Sequence, residues 1–188
     1  MNDAPEQDLA GRLKALRLAR GLTLDALAAG SGVSRAMISR VERGEASPTA
    51  ALLGRLCATL GVSMSGFFAP EEGAGSPLSR ASGQTVWRDP ATGYVRRNVS
   101  PRLPGSTLEI VEVLFPAGER VRFDNPWSTR PTEQVVWLLD GALEMTVGDE
   151  VTRLEAGDSL HMRLDRPIGY FNPGPRPARY AVILSAPA

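Results

Sequence analysis

The stretch LTLDALAAGSGVSRAMISRVERG, Leu22 to Gly44, decides how the first third of this chain is read. Thr23 stands before LDALAAGSG and Ser34 before RAMISRVERG. Each hydroxyl is placed to accept from a free backbone N–H at a helix start. Gly44 supplies a stop. Between the two helices, Ala28, Gly32 and Val33 are a small residue, a turn glycine and a buried apolar residue. Ile38 and Val41, three apart, face a core. Arg35, Arg40 and Arg43 are left for another face, with few acids beside them.

Helical periodicity extends outward from this stretch over residues 9–68. Leu9, Leu13 and Leu16 share a face, and so do Leu53, Leu56 and Leu60. Pro48 and Thr49 open the fourth helix and Gly61 stops it, and Ser63 is placed to cap a short fifth, MSGFF. Helices this short must pack as one bundle to persist in water. Residues 69–85, APEEGAGSPLSRASGQT, hold almost no large apolar side chain and read as a flexible linker. From Val86 onward, short runs rich in Val, Leu and Ile are punctuated by Pro and Gly, which predicts strands of a sandwich or barrel. Leu139-Asp140-Gly141-Ala142 predicts a hairpin of the I′ kind, and Gly148-Asp149 a second.

The chain has 188 residues and a net charge of zero, unevenly distributed. Residues 9–68 carry eight basic and three acidic side chains, a net of +5, and residues 86–188 carry twelve and thirteen. Different partners for the two halves are expected. The single cysteine, Cys57, allows no disulfide within the chain and reads as a small core residue. No apolar run approaches the roughly 18 residues that span a bilayer, and the acidic, polar start is no secretory signal. The expectation is a soluble cytoplasmic protein.

On LTLDALA, GVSRAMISRVERG, SPT and LCATLGV, residues 9–68 resemble the helix-turn-helix domain of phage repressors and of the xenobiotic-response-element (XRE) regulators. The resemblance implies that the helix after Ser34 enters the major groove of double-stranded DNA. It places Arg35, Ala36 and Arg40 toward bases and Ser34, Ser39 and Arg43 toward phosphates, with Thr23 at the backbone. Arginine suits guanine O6 and N7, and Ala36 a thymine methyl. Glu42 is expected to pair with a nearby arginine such as Arg17. A domain of this size implies a homodimer on a pseudo-palindromic operator. The plainer reading of the arginines, a solvated helix face, weighs more for Arg43 than for Arg35 and Arg40.

On FPAGERV, PTEQVVWLLDGALEMTVGDEVTRLEAGDSL and YFNPGPRPARY, residues 106–185 resemble the cupin fold, a double-sheet β-barrel. Metal-binding cupins use three histidines and a glutamate. Counting from Gly118, the first two histidine positions here are Asp124 and Pro126, and Glu133 is the glutamate. Counting from Gly157, the third histidine position is Ile168, and Asn172 matches the asparagine that follows. Proline and isoleucine ligate nothing, so no metal or other cofactor and no catalytic residue is expected, and any site of Asp124 and Glu133 would suit only a weak hard cation.

The barrel mouth then becomes a place for a small effector. Glu133, Val135 and Trp137 alternate along one strand, as do Arg122 and Asp124, and Tyr170 with Ile168. Such a pocket would take a small zwitterion or amine. Alternatively Trp137 and Tyr170 fill the barrel and Glu133 pairs with Arg122. His161 is read as a strand residue. The expected fold is thus an all-α helix-turn-helix bundle (9–68), a linker (69–85) and an all-β cupin (86–188). The expected function is a DNA-binding transcriptional regulator, not an enzyme, with a cupin that senses a metabolite and/or dimerises. Two alternatives stay open: a cupin enzyme autoregulated through the helical domain, and a cupin that is only a dimerisation scaffold.

Overall fold

A computed structural model describes residues 9–68, 76–101, 103, 105–124 and 132–185. Five helices come first: α1 (Leu9–Ala19), α2 (Leu24–Ser31), α3 (Arg35–Glu42), α4 (Ala50–Leu60) and α5 (Met64–Phe68). Their starts follow local chemistry. Thr23, Ser34 and Thr49 are extended and accept, through their side chains, from the N–H groups of Ala26, Met37 and Leu52. Ser63 Oγ accepts from Gly66 N at 2.7 Å. Gly32 and Gly61 close α2 and α4 in the left-handed region, with φ of 63° and 66°. The apolar stripes meet in one core of Leu13, Leu27, Val33, Ile38, Val41, Leu53, Leu56 and Leu60, each at most 4% exposed. Cys57 is buried there as well.

Ten strands follow: β1 (Val86–Arg88), β2 (Val95–Asn98), β3 (Leu108–Phe115), β4 (Arg120–Phe123), β5 (Glu133–Asp140), β6 (Ala142–Val147), β7 (Glu150–Glu155), β8 (Ser159–Arg163), β9 (Ile168–Phe171) and β10 (Ala178–Ser185). They form two antiparallel sheets, ordered β1-β2-β3-β10-β5-β8 and β4-β9-β6-β7. The inner faces close on Val111, Val113, Phe115, Val136, Leu138, Leu143, Met145 and Tyr180.

Gly148-Asp149 is a two-residue hairpin turn, with Val147 opposite Glu150. Asp140-Gly141 is not a hairpin: β5 lies between β10 and β8 in one sheet, and β6 between β9 and β7 in the other. Gly141 carries the chain across from sheet to sheet. Its φ is 88°, and a Cβ there would lie 2.9 Å from Ala178 Cα, so both backbone angle and space require glycine. The expected linker splits. Residues 69–75 lie outside the described residues, whereas buried Gln84 donates to the carbonyls of Ser79 and Val99 and holds the later part against the barrel.

The two halves are docked. Asp89, buried in the β1–β2 turn, accepts from Ala50 N at 2.8 Å and so adds a second cap to α4. Ser63 Oγ donates to Glu109 on β3, and Asn98 Nδ2 donates to the Ser65 carbonyl. Trp87 packs against both cores. An unbroken chain of aromatic contacts runs Phe67, Phe68, Trp87, Tyr94, Phe115, Tyr180, Tyr170, Phe123, with ring centroids 5.2 to 6.3 Å apart. It leaves α5, crosses the barrel interior and returns to α4, where Phe123 lies against Gly54. A Cβ on Gly54 would stand 3.0 Å from that ring.

Candidate nucleic-acid interface and barrel cavity

α3 is amphipathic in the plain sense: Ile38 and Val41 are completely buried, while Arg35, Ala36 and Arg40 are exposed. Its orientation is fixed on the inner side by Glu42. Arg17 of α1 donates from Nε to Glu42 Oε1 at 2.6 Å and from Nη2 to Oε2 at 2.8 Å. A third bond runs from Arg17 Nη1 to the Leu22 carbonyl. The side chains of the pair are only 10% and 7% exposed. The hydrogen bonds from Arg17 to Glu42 hold the guanidinium above its ordinary range. The expected partnership of Glu42 and Arg17 is what the structure contains, and it clamps α3 against α1.

The exposed arginines differ from one another. Arg35 Nε lies 3.2 Å from Asp25 Oδ1 of α2, with both groups largely in solvent. Arg43 donates through two nitrogens to Glu45, at 2.6 and 2.7 Å, and also to Ser39 Oγ. These bonds raise Arg43 and lower Glu45 from their ordinary ranges. Arg40 makes no ion pair among the described residues and keeps its full set of donors for a partner. Ser34 and Thr23 use their oxygens as helix caps and retain their hydroxyl protons.

The barrel holds a cavity of about 610 Å³ whose mouth faces the helical domain. Its wall is shared between Arg12, Leu16, Arg20, Gly54 and Arg55 of the helices and Arg96, Val113, Phe123, Gln134, Ile168, Tyr170 and Tyr180 of the barrel. Of the seven residues expected at the pocket, Ile168 and Tyr170 face it deeply buried and Asp124 borders its rim. Arg122, Glu133, Val135 and Trp137 do not reach it. The alternation on β5 has the expected period and the opposite phase: Gln134, Val136 and Leu138 point inward, and Glu133, Val135 and Trp137 outward. β4 is similar, with Val121 and Phe123 toward the interior and Arg122 in solvent. Glu133 pairs with His161 at 3.7 Å rather than with Arg122, which lies 3.7 Å from Asp124. A carboxylate that points out of the barrel cannot ligate inside it. Pro126, the other position in that reading, lies outside the described residues.

Two further side chains that reach the interior, Gln134 and Arg96, were not singled out by sequence. Gln134 Nε2 donates to Tyr170 Oη at 2.7 Å. Burial pushes the Tyr170 phenol up to about 12, against the pull of the Gln134 bond and the Arg96 charge. The same burial raises the Tyr180 phenol well above its ordinary value. Arg96, on β2, is 7% exposed. Its neighbour Arg97 faces outward to Glu112, so the alternation of VRRN was the available signal. Asn172 is structural: fully buried, it donates to the carbonyls of Phe115, Pro116 and Arg176 and accepts from Gly174 N. Among the described residues, no three His, Cys, Asp or Glu side chains gather as a metal site, and no helix is long and apolar enough to cross a membrane.

Comparison with known proteins agrees with this architecture. A helix-turn-helix family profile matches residues 13–67, and a cupin domain profile matches residues 113–184. The Escherichia coli K12 protein named HTH-type transcriptional regulator SutR is 29% identical over 179 residues, covering 95% of each chain. The regulator PuuR of the same organism is 26% identical over 165 residues, covering 86% of this chain and 85% of PuuR. A crystal structure of an HTH_3 family transcriptional regulator from Vibrio cholerae superposes with a TM-score of 0.76 at 28% identity, covering 96% of each chain.

Proposed function

For a chain that combines an XRE-type helix-turn-helix domain with a C-terminal cupin domain, we propose a transcriptional regulator that binds double-stranded operator DNA through α3 and senses a small effector in the barrel. The division at 9–68, 69–85 and 86–188 follows from the same reading. The observation that carries it is the construction of α3: one face locked by Ile38, Val41 and the Arg17–Glu42 clamp, the other presenting Arg35, Ala36 and Arg40. In this reading Arg40 and Arg35 read base edges, Ala36 meets a thymine methyl, and Thr23, Ser34, Ser39 and Arg43 sit at the sugar–phosphate backbone.

The cavity supports the sensor over a scaffold with a filled barrel. Its volume of about 610 Å³ lies within the range of small-molecule sites. Effector and operator affinities would be linked through the arrangement of the domains, in proportion to the effector's preference for one arrangement. The protein is not an enzyme in this reading, and DNA as partner places it in the cytoplasm. Homodimerisation uses the outer face of the six-stranded sheet, where Leu108, Leu114 and Trp137 are about half exposed (48, 48 and 47%).

Operator selection from random DNA, followed by titration of variants at fixed salt, tests the proposal. Arg40→Ala and Arg35→Ala should each weaken specific binding by about 1–3 kcal/mol and relax preference at one position. Arg43→Ala should weaken specific and non-specific binding alike. Unchanged affinities of the Arg35 and Arg40 variants for operator and random DNA would remove α3 as the reading element.

A further inference from the structure

Arg96 is a buried cation in the cavity wall. It is 7% exposed, and it forms no ion pair among the described residues. Its Nη2 donates to Ser65 Oγ of α5 at 2.8 Å, and its guanidinium lies 5.5 Å from the centre of the Phe68 ring. Its Nε is buried with no hydrogen-bond partner among the described residues. An arginine cannot shed its proton to relieve this, so an arriving anion would offset the cost of burial beyond what the Ser65 bond and the Phe68 ring supply. Two carboxylates of the docking interface are bonded elsewhere: Glu109 accepts from Ser63 and Asp89 from Ala50 and Thr92.

The surroundings of Arg96 fit one class of anion. The Arg96 charge reaches Tyr94, Tyr170 and Tyr180 inside the same cavity, easing the ionisation of each phenol against the stronger effect of burial. Tyr170 accepts from Gln134 and therefore keeps its own proton to donate. The remaining wall is mixed: Val113, Phe123 and Ile168 are apolar, Arg12, Arg20 and Arg55 add positive charge, and Glu109 and Asp124 add negative charge. A guanidinium and a phenol O–H in the wall of one cavity, beside its apolar residues, suit a carboxylate carried on a short carbon chain.

We propose that the cavity binds a small organic acid whose carboxylate is held by Arg96 and Tyr170, and that its presence is passed to the DNA-binding half through the Arg96–Ser65 bond. This deepens the sensor reading and rests on it. The acid engages the part of the guanidinium that faces the cavity and leaves Nη2 on Ser65, so occupancy favours the arrangement in which α5 stays docked on the barrel. The buried charge in the pocket wall thereby favours an acid over the amine or zwitterion that an inward Glu133 implied.

The probes are straight-chain mono- and dicarboxylates of two to six carbons, the matching amides and amines, and inorganic phosphate. Full-length protein is followed by thermal shift and calorimetry. At least one carboxylate should bind saturably while its amide and amine do not. Arg96→Gln should lower that affinity more than about tenfold, as loss of a charge-assisted pair does. Tyr170→Phe keeps the ring and should lower it about fivefold, which covers the case in which Arg96→Gln fails to fold. Ser65→Ala should leave acid binding within about threefold while abolishing the acid's effect on operator affinity. Binding of amines or phosphate in preference to every carboxylate overturns the proposal, as does wild-type affinity in both pocket variants. Silence of all carboxylates in a protein that still binds its operator sinks this proposal alone. Carboxylate binding without any operator binding sinks the regulator reading instead.

Discussion

Removing the carboxylate of Glu42 tests what holds the reading helix in place. Glu42→Ala deletes two short charge-assisted bonds and leaves the Arg17 guanidinium, 10% exposed, with only the Leu22 carbonyl. Breaking a buried pair by removing one partner costs about 3–5 kcal/mol, most of it the stranded charge. The residual exposure of Arg17 lets water approach, so the lower end, about 3 kcal/mol, is expected. Replacing both partners with apolar residues of similar volume, Arg17→Met with Glu42→Leu, should cost far less than either single change.

The assay can separate the halves of the chain. All three tryptophans, Trp87, Trp127 and Trp137, lie in residues 86–188, so fluorescence follows the barrel and, through Trp87, its contact with α5. Circular dichroism at 222 nm follows the helices. In urea, Glu42→Ala should move the helical transition strongly and the tryptophan transition less. Operator affinity should fall with it, because α3 loses its tie to α1 while its arginines remain. A cost below about 1 kcal/mol, or a double variant as unstable as the sum of the singles, would show that the clamp does not position α3.

Other consequences follow from single contacts. Gly141→Ala meets both a φ of 88° and the Ala178 backbone at 2.9 Å, so the tryptophan transition should lose more than about 1 kcal/mol; an unchanged midpoint would show that the sheet crossing relaxes. Burial pushes the Cys57 thiol up to about 12, so it should resist a thiol reagent at pH 8 until urea unfolds the bundle, and rapid labelling of the native protein would contradict that. Burial pushes the Glu112 carboxyl up, but hydrogen bonds from Arg97 and Arg179 outweigh it and hold the group below its usual value of 4.5. A group lowered in the folded state stabilises above its unfolded pKa and loses that contribution as pH falls through the folded one. Glu112→Gln should therefore flatten the acid limb of a stability–pH curve, by under about 1 kcal/mol given the exposed partners; an unaltered limb would remove Glu112 from the acid response.

The helical half was legible because its signals are local. Thr23, Ser34 and Thr49 cap within three residues, and Ile38 and Val41 declare their face by spacing alone. The barrel was legible in its strands and less so in their pairing. Asp140-Gly141 has hairpin chemistry, yet the partners of β5 are β8 and β10, and nothing within four residues records that. The phase of β5 was equally open, since EQVVWLLD offers apolar residues at both parities: Val135, Trp137 and Leu139 against Val136 and Leu138. A strand that is polar on one side fixes its own face; a strand apolar on both is assigned only by what closes over it.

Arg96 and Arg97 pose the same problem in its most consequential form. Adjacent on β2, they are chemically identical, and alternation requires that one of them enter the barrel without saying which. The choice is made by residues remote in sequence. Glu112 on β3 captures Arg97 on the outside, and Ser65 and Phe68 of α5 receive Arg96 on the inside. The docking of the two halves thus places a buried cation in the cavity wall, and neither half alone specifies it. A site completed by α5 has its chemistry tied to the position of the DNA-binding domain, and a ligand that answers that charge must act on the same contact.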